Sequence, residues 1–231
     1  MRTIGLIGGL SWQSSLEYYR IINEVIRQKL GGLHSARIVM HSFDLAEMAT
    51  LQEEGDWESA ARLIIGAAQR LENAGADLLV MCTNTMHKVA DEVQQDVKIP
   101  LLHIADATAE EIKTAGLRKV GLLGTRFTME EDFYKERLTR KRGLEVIIPD
   151  EDERQIVDRA IYEELCAGQV RRSSKEKFCG IMQNLAASGA EGIILGCTEI
   201  YLLVDQRDVQ VPVFDTTRIH AKSAALASLK I

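Results

Sequence analysis

The chain writes one pattern twice. Ile4–Gly8 reads IGLIG, and Val120–Gly124 reads VGLLG 116 positions later. GADLLVMCT leads into Cys82 and GAEGIILGCT into Cys197, two cysteines 115 positions apart. IPLLHIADAT around Pro100 is echoed 112 positions on by VPVFDTTRIH around Pro212. Glycine-ended strands shared by many α/β chains could account for the first match, but not for the cysteines. Three landmarks in one order at a nearly constant offset imply two homologous halves, each a small α/β unit, related by a pseudo-twofold axis.

The local pattern says what each half is made of. Thr3–Ile7, Arg37–Met40, Asp77–Met81, Lys119–Leu123, Glu145–Ile148 and Gly192–Leu195 are short continuous apolar runs, not alternating ones. Such runs suit strands buried on both faces of a parallel sheet covered by helices. Between them, Leu16–Lys29 and Trp57–Asn73 carry apolar residues at three- and four-residue spacing and stop near Gly31 and Gly75, as helices do. Strand alternating with helix gives an α/β class with right-handed crossovers. The second half opens at Pro100 and closes near Val209. The expected domains are therefore 1–99 with 210–231, and 100–209. Thr216–Lys230 is helical in character and is expected to pack back onto the first half.

Composition removes several functions. A net charge of −6 without a basic block argues against nucleic acid as a partner. Leu78–Cys82 and Gly192–Cys197 are among the longest apolar runs and fall far short of a membrane span. The opening MRTIGLIGGLSW has one positive charge and runs straight into a strand pattern, so no signal peptide is read there. The expected location is the cytoplasm, where stable disulfides are rare. The four cysteines thus call for packing or chemistry.

Cys82 and Cys197 each end an apolar strand and precede a helical pattern. In open parallel sheets ligands bind at the carboxyl ends of strands. There, a helix dipole and free backbone N–H groups are expected to lower a thiol pKa below about 8.5. If the two strand ends face one cleft, a substrate meets one sulfur on each side. That suits removal of a proton from one face of a carbon and its return to the other, without a cofactor. Thr83, Asn84, Thr85 and Thr198 supply hydroxyl and amide groups to hold the substrate and its carbanion. Cys166 in YEELCAGQ and Cys179 in EKFCGIMQ read as packing residues, and with no CxxC or close histidine pair a zinc site is not indicated. The opening IGLIGGLSW is not G-x-G-x-x-G, so dinucleotide binding is not read there. His87, five residues after Cys82, could tune that thiolate but is as well explained by a surface cap on a helix start, and His103 is read as structural. No role is read for His34, His41 or His220.

GGLSWQSSLEYY, CTNTMHK, GTRFTME and GCTEI together resemble the aspartate/glutamate racemase family, in order and over essentially the whole chain. The resemblance implies two Rossmann-like domains, a site in the cleft between them, no cofactor and no metal, and a homodimer. It also implies an amino-acid substrate with Cys82 and Cys197 as the acid/base pair. Leu10, in the Gly8–Gly9–Leu10 turn, would line the cleft. Thr83, Asn84 and Thr85 would bind the α-carboxylate and amino group; Thr125, in GTRFT, would be the second-half counterpart of the GGL turn, and Thr198 would mirror Thr83. Glu199 stands where glutamate racemases carry a histidine, a change shared with the aspartate branch. Aspartate-specific members are expected to hold the side-chain carboxylate with an arginine in the region of LAEMATLQEEGDW and a lysine near IYEELCAG. Neither stretch has a basic residue here, and Gln52 is the nearest polar candidate. That leaves a glutamate-accepting or broader racemase, a two-cysteine hydantoin racemase or maleate isomerase, or a non-catalytic amino-acid binder.

Overall fold

All six apolar runs are strands in the computed structural model of the chain, which describes residues 1–140 and 142–229. Contacts divide the chain into two units, Met1–Ile104 with His220–Ile231, and Ala105–Ile219.

In the first unit the order is β1 (Ile4–Gly8), α1 (Trp12–Leu30), β2 (Ile38–Ser42), α2 (Leu45–Glu54), α3 (Trp57–Asn73), β3 (Leu78–Met81), α4 (Ala90–Asp96) and β4 (Leu101–Leu102). Helix α5 (Ile104–Thr114) leads into the second unit, which runs β5 (Lys119–Gly124), α6 (Arg126–Glu130), α7 (Asp132–Thr139), β6 (Glu145–Ile147), α8 (Glu151–Ala160), α9 (Arg172–Ala187), β7 (Gly192–Gly196) and β8 (Val213–Asp215). Helix α10 (Thr216–Leu229) begins in the second unit and ends in the first; Lys230, the expected last residue of that helix, lies outside the described residues.

Each unit carries a four-stranded sheet of parallel pairs, ordered β2-β1-β3-β4 in the first and β6-β5-β7-β8 in the second. The internal repeat is therefore a repeat of topology. β1 and β3 are the two inner strands of the first sheet, and β5 and β7 those of the second; β3 and β7 each lead into a Cys-Thr pair. Strands β4 and β8 follow Pro100 and Pro212 and are too short to leave a period in the sequence.

The sheet of the first unit separates two apolar layers. Leu79 and Met81 point into one with Ile64, Leu71 and Met86. Leu78, Val80 and Cys82 point into the other with Tyr18, Ile22, Ala221 and Ala224. Alternation along β3 thus commits Cys82 to the layer formed with α1 and α10. The second unit buries Leu122, Leu123, Phe178, Met182, Ile193 and Leu195.

Local chemistry sets the helix ends. Ser11 caps α1 by accepting from the Ser14 N–H, and Asp56 caps α3 by accepting from the Ser59 N–H. Gly31 ends α1 at φ 74°, a left-handed conformation that favours glycine.

Candidate active site

The carboxyl end of β1 turns through Gly8, Gly9, Leu10 and Ser11 into α1. Gly9 has φ 75°, and a Cβ there would collide with the backbone of Phe43, so the turn requires glycine. Ser11 holds φ 139°, an uncommon angle for a residue with a side chain. Its turn is braced by Ser15 of α1. The Gly9 N–H donates to Ser15 Oγ at 2.8 Å, and Ser15 Oγ donates to the Ser11 carbonyl at 3.1 Å. Leu10 is buried and packs with Met48 and Met86.

A second serine of α1 reaches Cys82. Ser14 Oγ donates to the Cys82 carbonyl at 2.8 Å, while the Cys82 N–H donates to the Ile7 carbonyl at 2.9 Å. Cys82 is thus tied on both sides of its backbone, to β1 and to the first turn of α1. Sequence reasoning missed Ser11, Ser14 and Ser15. Their only mark in the sequence is the S-x-x-S spacing of a capped helix start.

Thr83, Asn84 and Thr85 follow, all buried, and lead into a 3₁₀ turn, Thr85–Val89. His87 lies in that turn and is buried, not a surface cap as the sequence implied. The Ile104 N–H donates to its Nε2 at 3.2 Å, so Nδ1 carries the proton and donates to the Thr83 carbonyl at 2.9 Å. The His103 ring packs against it at a tilt of 58°, with ring centroids 4.5 Å apart. His220 is fixed by the same logic: Nε2 donates to the Leu102 carbonyl at 2.9 Å and Nδ1 accepts from the Tyr18 hydroxyl at 2.8 Å. Burial lowers the His220 pKa to about 4. Gln52, on α2, is buried, and its Nε2 donates to the Met86 thioether at 3.1 Å.

In the second unit Thr125 caps α6, accepting from the Thr128 N–H, in the place that Ser11 holds in the first. Gly196 ends β7, and a Cβ there would sit 2.8 Å from the Leu123 carbonyl, so β5 and β7 close up just before Cys197. The Cys197 thiol donates to Glu199 Oε2 at 3.1 Å, and the Thr198 hydroxyl donates to the same oxygen at 2.7 Å. Glu199 Oε1 is buried and accepts no hydrogen bond from the described residues.

Electrostatics depart from expectation at both cysteines. A helix N-terminus was expected to lower their pKa values; instead burial pushes both well above the ordinary thiol range. At Cys197 the negative charge of Glu199 adds to that effect. Short 3₁₀ turns follow the two cysteines, Thr85–Val89 and Ile200–Leu202, and they offer little of the aligned dipole of a long helix. Cys166, read from sequence as packing alone, ends a π-helical turn, Ile161–Leu165. It too lies within the field of Glu199. Burial first, and that charge second, push its pKa up to about 12.

The two thiols therefore hold equivalent places in two units of equal strand order, and at rest both carry their protons. Each can give a proton, and each becomes a base once its proton is displaced. No helix among the described residues is long and apolar enough to cross a membrane.

Comparison with known proteins bears on this arrangement. A crystal structure of a candidate Asp/Glu racemase from Yersinia pestis is 54% identical, superposes with a TM-score of 0.94 and matches over 100% of both chains. An aspartate racemase homologue from Pyrococcus horikoshii OT3 is 39% identical with a TM-score of 0.86, again over 100% of both. The broad specificity amino-acid racemase RacX of Bacillus subtilis (strain 168) is 28% identical over 171 residues, which is 73% of this chain and 72% of that protein. The family model described as Asp/Glu/Hydantoin racemase matches residues 7–224. On that match, the chain belongs to the Asp/Glu/Hydantoin racemase family.

Proposed function

We propose that this chain racemises α-amino acids without a cofactor, Cys82 and Cys197 exchanging the roles of acid and base on opposite faces of the α-carbon. The observation that carries the reading is the equivalence of the two thiols. Each directly follows the third strand in the order of its sheet, β3 or β7, at corresponding points of the repeat. Racemisation has the same demand in both directions, so neither group is a dedicated acid or base. A thiolate takes the α-proton, the carbanion flattens, and the opposite thiol delivers a proton to the other face.

Burial raises both thiol pKa values, which stores protons for donation and makes thiolate formation depend on the bound substrate. Thr83, Asn84 and Thr85 near one cysteine, and Thr125 and Thr198 in the other unit, are proposed to hold the substrate, with Leu10, Gln52 and Glu199 completing its surroundings. Gln52 meets a thioether and not a cation, which supports a broad preference over strict aspartate specificity. The name of one relative, a broad specificity amino-acid racemase, points the same way. The enzyme is proposed to act in the cytoplasm as a homodimer. Trp12, Leu16 and Tyr19 lie exposed at one-turn intervals on α1, an apolar stripe suited to a second copy.

The test is to incubate the protein with single L- and D-amino acids in D2O, without cofactor, and to follow α-deuterium by NMR. Exchange with loss of optical rotation is expected. No exchange with any amino acid would leave a binder or an enzyme of another substrate class. The family name also covers hydantoins, so a 5-substituted hydantoin belongs in the same series.

A further inference from the structure

Glu199 is 3% exposed, yet only half of its carboxylate is used by the protein. Oε2 accepts from the Cys197 thiol and the Thr198 hydroxyl at 3.1 and 2.7 Å. Oε1 is buried and has no hydrogen-bond partner among the described residues. An acceptor oxygen left buried and unmatched is costly, and such groups in native proteins call for an explanation. A ligand that brings a positive donor supplies one.

We infer that Glu199 Oε1 receives the α-ammonium group of the substrate, so that the site takes primary α-amino acids and rejects 2-hydroxy acids and hydantoins. The inference rests on the reading that Cys197 works on a substrate α-carbon. Geometry then does the rest. The α-nitrogen is bonded to that carbon at about 1.5 Å, and Glu199 is itself within hydrogen-bond distance of the Cys197 sulfur. A carbon presented to the sulfur brings its nitrogen to the carboxylate. An ammonium has three donors and a full charge. A 2-hydroxy acid offers one neutral donor, and a hydantoin nitrogen is a neutral amide.

The same contact links binding to chemistry. The charge of Glu199 opposes thiolate formation at Cys197. A bound ammonium offsets that charge, so the base becomes available when an amino acid is in place. Glu199 would touch the substrate and discriminate among substrates without itself moving the α-proton.

The experiment is calorimetric titration of the whole protein with isosteric pairs: L-aspartate and L-malate, L-glutamate and L-2-hydroxyglutarate, L-serine and L-glycerate, with a 5-substituted hydantoin added. At least one amino acid is expected to bind ~10- to 100-fold more tightly than its hydroxy partner, the range of a charge-assisted hydrogen bond. In E199Q, checked for folding by near-ultraviolet circular dichroism, that preference is expected to shrink ~10-fold or more, with hydroxy-acid affinity unchanged. Equal affinities within every pair, tighter binding of the hydroxy acid or the hydantoin, or no binding by any amino acid would each overturn the inference. The wild-type pairs decide it even if E199Q fails to fold. α-Deuterium exchange on the same samples separates the two readings. A protein that prefers amino acids but exchanges no α-proton keeps the ammonium site and loses the racemase assignment.

Discussion

The thiol of Cys197 donates to Glu199 Oε2 at 3.1 Å. The pairing makes the two cysteines unlike. Burial raises the Cys82 pKa, whereas at Cys197 burial is joined by a neighbouring negative charge. On the proposed two-base mechanism, chemistry symmetric in its proton steps would be run by two differently tuned groups.

Removing that charge therefore has a directed effect. In Glu199→Gln the thiolate of Cys197 forms at lower pH than in the wild type, though still above the range of an exposed thiol because burial persists. The pH profile of iodoacetamide labelling at Cys197, read by peptide mass spectrometry, is expected to move down. An unchanged profile would mean that Glu199 does not tune this thiol.

His220 sets a pH dependence of stability. Its folded pKa is about 4, below the ordinary 6.5, because burial opposes the charged ring. The unfolded chain therefore binds more protons in that window, and stability rises with pH through it. Full stability is expected above pH 6.5 and is lost as pH falls toward 4, with an upper bound of about 3 kcal/mol from this residue. Urea unfolding across that range checks it. His220→Gln is expected to be less stable at neutral pH and to show a shallower slope.

Ser14→Ala tests the tie between α1 and Cys82. The buried Cys82 carbonyl loses its bond from Ser14 Oγ, at a cost of about 1–3 kcal/mol in unfolding free energy. Activity is expected to fall through kcat more than through KM, because the sulfur is displaced and not removed.

Gly9→Ala should be severe. It places a Cβ against the Phe43 backbone at a positive φ, and a loss of about 2 kcal/mol or more is expected. Thermal unfolding and recovery of folded protein on expression measure it.

The parts of the fold that could be read from the chain share one cause. β1, β3, β5 and β7 are buried along nearly their whole length, so burial on both faces left uninterrupted apolar runs. β4 and β8 have two and three residues and could not. The place of Cys82 and Cys197 directly after β3 and β7 was legible because each closes an uninterrupted apolar run. Ser14 was not, because its link to Cys82 joins segments 68 residues apart. The sign of the thiol pKa shifts was also hidden. It depends on the depth of burial and on 3₁₀ turns standing where an α-helix was read, and neither leaves a spacing in the sequence. His87 belongs with these, since its burial comes from contact with Ile104 and His103.

The most direct test of the two-base account is to replace each cysteine in turn, Cys82→Ser and Cys197→Ser, and follow racemisation of an amino acid that the wild-type protein turns over. Both variants are expected to fold and to lose racemisation, because one face of the α-carbon then lacks its acid or base. Full racemisation surviving in either variant would contradict the assignment.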